Sequence, residues 1–144
     1  MNIEFVTEGV EMPSLDFPRI EAWIAAVAKE HCRTVGTLCY CFCNDPYIIK
    51  VNREFLQHDF YTDIITFDNT VGNRIAGDIL ISLDTVATNA VAVGTDYDTE
   101  LLRVVIHGIL HLCGIDDKGP GEREIMESHE NRALELYREI DGLQ

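Results

Sequence analysis

The chain has 144 residues, 47% of them hydrophobic, which is enough for one domain with a sizeable core. Eleven Lys and Arg against 25 Asp and Glu give a formal charge of −14, which repels polyanions and counts against generic nucleic-acid binding unless a cation neutralises the site or a larger assembly presents the substrate. No stretch approaches the ~18 apolar residues of a membrane span, the start MNIEFVTEGVEM lacks a signal-peptide pattern, and five cysteines suit free thiols in a reducing cytoplasm better than a disulfide framework. A cytoplasmic protein with no membrane partner is expected.

In chain order, Ile3 to Val6 alternates weakly and reads as a first strand. Pro18 then starts a helix to about His31, with Ile20, Trp23, Ile24, Val27 and Ala28 at helical spacing. A strand follows over Val35 to Cys43, ended by Asn44-Asp45-Pro46, which also caps a helix from Pro46 to about Leu56. Ile64 to Phe67 and Ile75 to Ser82 read as an antiparallel pair joined by the turn-rich Asn69–Asn73. Helices are expected over Asp84 to about Val93, over Asp96 to Leu112 and, after Lys118-Gly-Pro-Gly121, to about Ile140. The order βαβαββααα predicts a single α+β domain over residues 1–144, with one mixed or antiparallel sheet of about four strands and helices largely on one face.

The segment His107-Gly-Ile-Leu-His111-Leu-Cys-Gly114-Ile-Asp-Asp117 carries the chemistry. Histidines four apart on a helix share a face and can aim at one point, although for such a pair alone a structural or surface role weighs as much as metal ligation. Gly114 can take the left-handed conformation that ends a helix, returning Asp116 or Asp117 toward the imidazoles. Two imidazoles and one carboxylate form a catalytic zinc set with an open fourth position. Gly108 stands where a metalloprotease has its glutamate base, which counts against a peptidase. Cys39, Cys41 and Cys43 share one face of a strand and read as core rather than as a soft-metal site, and Cys113 reads as a packed thiol. The polar stretch Asn52–Asp63 reads as capping and turn chemistry, and Glu122, Glu124, Glu127, Glu130, Glu135 and Glu139 as a solvated helix face.

Taken together these residues resemble the YbeY family of metal-dependent endoribonucleases. His107 to Asp117 is similar to the family's H-G-x-L-H-L-x-G-x-D-H segment, Asn52, Phe55, Asp59, Thr62, Asp63 and Phe67 to its L-N-x-x-Y-R-x-x-D-x-x-T-D-V-L-S-F stretch, and Gly77-Asp78-Ile79 to its G-D-I strand. The resemblance implies one Zn²⁺ held by His107, His111 and Asp117, with Asp117 in place of the family's third histidine and Asp116 matching the aspartate before it. Leu56 stands where the family has an arginine facing phosphate. His58 is the candidate catalytic replacement, with Arg53 and Arg103 as further candidates. The function implied is single-strand-specific endoribonuclease activity in 16S ribosomal RNA 3′-end maturation and ribosome quality control. Its partners would be ribosomal RNA and the ribosome or its assembly proteins, with weak binding to free RNA. The rivals are a non-catalytic ribosome-assembly factor with a structural metal, and a metal-dependent hydrolase of another substrate.

Overall fold

The structure, a computed structural model, describes residues 1–57 and 62–142. Among these residues the chain runs β1 (Asn2–Glu8), α1 (Phe17–Glu30), β2 (Thr34–Cys43), α2 (Asp45–Leu56), β3 (Ile64–Asp68), β4 (Arg74–Ser82), α3 (Leu83–Val93), α4 (Tyr97–Leu112) and α5 (Glu122–Gly142), the expected α+β order. Local chemistry sets the helix starts. Asp16, Asn44, Ser82 and Asp96 each accept a hydrogen bond from a backbone N–H three residues on, satisfying a donor that the first turn cannot.

The strands form one mixed sheet in the order β1-β2-β4-β3. β1 and β4 each pair with β2 in parallel, and β3 pairs with β4 antiparallel, as the short connection between them requires. Alternation along β2 and β4 divides the sheet into two faces. Leu38, Tyr40 and Phe42 of β2 and Ile75, Ile79 and Ile81 of β4 are fully buried, in one cluster with residues of α1, α3, α4 and α5. The opposite face builds a smaller cluster of Cys43, Ile65 and Leu80 with Ile48 and Val51, which α2 supplies. Four helices thus cover one face and α2 the other.

Two buried hydrogen bonds tie helices into this core. Tyr40 donates its hydroxyl to the Val105 carbonyl at 2.9 Å, and Trp23 donates Nε1 to the Ala133 carbonyl at 2.7 Å. Each satisfies a polar group that would otherwise be buried at a cost of about 1–3 kcal/mol. Cys43 and Cys113 are buried, whereas Cys39 and Cys41 are only half-buried, so the strand cysteines are packed to different degrees. Burial pushes the Cys43 thiol up to about 12 and that of Cys113 up to about 11, and raises those of Cys39 and Cys41, which disfavours the thiolate that a soft metal needs.

Candidate metal centre

α4 is seated face-on against the sheet. Its buried face, which includes Leu101, Val105, Ile106, Ile109 and Leu112, enters the core, and the edge carrying His107 and His111 opens onto a cleft of about 1080 Å³. Gly108 lies against the sheet: a Cβ there would stand 3.0 Å from Ile79 Cδ1 and 3.3 Å from Ile64 Cδ1. A larger side chain there would press on these isoleucines, so the position that carries the base in a metalloprotease is here packed against the sheet. Cys113 caps the helix, and Gly114 at φ +96° turns the chain in a conformation that a side chain would strain. The turn brings Asp117 back to the cleft.

The sequence-selected residues are brought together in part. His107, His111 and Asp117 all line this cleft, and His107 Nε2 lies 3.4 Å from Asp117 Oδ2. Asp116 is spent on the turn itself, its Oδ1 accepting from the backbone N–H groups of Asp117 at 2.7 Å and Lys118 at 3.2 Å. His58 lies outside the described residues. Among the described residues no three His, Cys, Asp or Glu are gathered closely enough to form a metal-binding group. The donor types still suit a divalent cation: with Nδ1–H donated to a carboxylate, the neutral His107 ring presents a lone pair to Asp117, an arrangement of two acceptors that a cation between them would stabilise.

Glu130 is that carboxylate, and it alone is buried among the α5 glutamates read as a solvated face, of which Glu124, Glu127, Glu135 and Glu139 are exposed. It is 8% exposed, and its Oε2 lies 2.7 Å from His107 Nδ1 while its Oε1 accepts from Arg103 Nη1 at 3.0 Å. Arg103 Nη2 also donates to Asn131 Oδ1 at 2.8 Å, so this guanidinium is engaged within the protein by both terminal nitrogens. Burial lowers the affinity of His107 for a proton, but the hydrogen bond to Glu130 and the charges of Glu130, Asp117 and Asp63 outweigh it and leave the pKa raised.

Asp63 also lines the cleft. Burial raises its carboxyl above the ordinary range, against the opposing charge of His107 and hydrogen bonds from the backbone. Its neighbour Thr62 is a local turn residue, donating to the Ile64 carbonyl at 3.3 Å, as capping chemistry predicts. The side chain of Asp63 belongs to the site instead.

The family model of Endoribonuclease YbeY matches residues 6–138. Proteins named Endoribonuclease YbeY are similar along nearly the whole chain. That of Parabacteroides distasonis is 56% identical over 139 residues, 96% of this chain and 98% of its own. That of Phocaeicola vulgatus is 58% identical over 134 residues, 93% of this chain and 97% of its own. The solution structure of a Thermotoga maritima protein shares the fold with a TM-score of 0.66 at 25% identity, covering 95% of this chain and 92% of that one. With a family match of this extent and relatives above half identity, the chain belongs to the YbeY family of endoribonucleases.

Proposed function

We propose that this protein is a Zn²⁺-dependent, single-strand-specific endoribonuclease of the cytoplasm, acting in 16S ribosomal RNA 3′-end maturation and ribosome quality control. The observation that carries the reading is the His107 ring, held by Glu130 at Nδ1 and facing Asp117 at Nε2 within a cleft that His111 also lines. His107, His111 and Asp117 would hold the metal. When bound, it supplies positive charge that polarises a phosphoryl oxygen and acidifies water. The protein does the rest. Glu130 fixes the tautomer and orientation of His107, Arg103 offsets the charge of Glu130, and Asp63 presents a carboxyl whose burial favours its protonated form. Gly108 stands where a metalloprotease carries its glutamate base, which counts against a peptide substrate.

The test compares wild type, His111→Ala and Asp117→Ala for metal content and for cleavage of a 16S precursor. Both variants are expected to lose metal and cleavage together. Cleavage retained by metal-free variants would overturn the mechanism. The −14 charge adds a second expectation: at physiological salt, free RNA of arbitrary sequence binds with a dissociation constant no tighter than about 10⁻⁶ M, the range of non-specific binding, so the ribosome or its assembly proteins must present the substrate. Tight, salt-resistant binding of arbitrary RNA would contradict that.

A further inference from the structure

The cleft that contains His107, His111 and Asp117 is lined by more carboxylates than cations, so its average field cannot attract a phosphate chain. Its grip must come from individual cations. Among the described residues, Arg103, Lys118 and Arg123 line it. Arg103 is committed to Glu130 and Asn131, and withdrawing it would leave a buried carboxylate without its guanidinium. Lys118 and Arg123 differ. Both are exposed, and among the described residues neither side chain has an ion pair or hydrogen bond.

Their placement matters as much as their freedom. Lys118 directly follows Asp117, so it leaves the same turn that brings Asp117 beside His107 Nε2. Arg123 stands in the first turn of α5, across the Gly119–Gly121 connection, and lines the same cleft. One cation is a compact ammonium and the other a planar fork able to contact two phosphate oxygens, and both can follow a flexible backbone without reading its bases.

We propose that Lys118 and Arg123 form a backbone-phosphate subsite that seats single-stranded RNA beside the His107–Asp117 pair. The subsite rests on the endoribonuclease reading and adds the residues that hold its substrate. Each phosphate contact on a single strand releases condensed counterions, contributing about 0.7 to the slope of log affinity against log salt. Exposed contacts of this kind are individually weak, so the expected loss per residue is modest.

The experiment measures binding of a fluorescent 2′-O-methyl RNA single strand, checked for integrity, at several low salt concentrations, together with KM for cleavage of the unmodified strand. The proteins are wild type, Lys118→Gln, Arg123→Gln, the double variant and Arg138→Gln, an exposed α5 cation outside the cleft lining. Lys118→Gln and Arg123→Gln are expected to weaken binding and raise KM about threefold each, and about tenfold together, with each lowering the salt slope by roughly 0.7. Arg138→Gln is expected to match wild type. Variants indistinguishable from wild type in affinity and slope would overturn the subsite, as would an equal loss in Arg138→Gln, which would assign the effect to net charge. Wild-type protein that cleaves no RNA would instead overturn the endoribonuclease reading, an outcome that the slopes cannot imitate.

Discussion

Glu130 joins two polar systems that its position in the sequence does not connect. One oxygen holds His107 and the other holds Arg103, so the orientation of a proposed metal ligand on α4 depends on a carboxylate 23 residues away on α5. Removing its charge while keeping its shape isolates that dependence. Glu130→Gln is expected to weaken Zn²⁺ binding about tenfold or more, as loss of a carboxylate behind a histidine ligand does. Competition against a chelator of known affinity measures it, and an unchanged affinity would remove Glu130 from the site. The pair His107 and His111, the turn at Gly114 and the return of Asp117 were legible because helical periodicity and glycine conformation are local rules. Glu130 was hidden among five other glutamates of its helix. Its signal was positional: Met126, Ala133 and Leu134, all buried, place Glu130 on the apolar stripe of α5 and set it apart from its neighbours. The engagement of Arg103 with Glu130 and Asn131 was hidden for the related reason that a cation's partner on another helix cannot be seen from its own segment.

Among the elements, periodicity fixed what each segment becomes but left the pairing of strands to tertiary contacts. The short connection before β4 identified its antiparallel partnership with β3, since only antiparallel strands can be joined so briefly. Nothing comparable marks β2 as the partner of β4, because the residues between them form α2 and β3 and carry no pairing signal of their own. Gly77 records the result. It lies opposite Leu38 of β2 and Asp68 of β3, and a Cβ on it would stand 2.2 Å from the Phe67 carbonyl oxygen. Backbone, unlike a side-chain tip, cannot step aside. Gly77→Ala is therefore expected to displace β3, the strand that follows Asp63, and to cost about 2–4 kcal/mol of stability. Urea unfolding reads the loss; a variant as stable as wild type would mean that β3 adapts freely and does not hold Asp63 in place.

Considered as a whole, the molecule separates its stability from its chemistry. α4 buries Leu101, Val105, Ile106, Ile109 and Leu110 completely, α5 is tied to α1 through Trp23 and Ala133, and α4 is tied to β2 through Tyr40. None of these contacts involves His107 or His111, on the edge of α4 turned to the cleft, or Asp117, on the turn that follows the helix. A structural-metal role requires the opposite arrangement, with the helical region unable to bury its own core unaided. Removing metal with a chelator should therefore leave the far-ultraviolet circular dichroism of a folded protein and abolish RNA cleavage. Some stabilisation by ligand binding must still be lost: at a metal concentration 100 times its dissociation constant the loss is about 2.7 kcal/mol, which lowers the melting temperature by roughly 5–10 °C in a domain of this size. Both readouts are needed, because a fall in melting temperature alone is expected of any ligand. Loss of helical signal at 25 °C on chelation, restored by added Zn²⁺, would reverse the assignment and make the metal a staple of the α4–α5 pair.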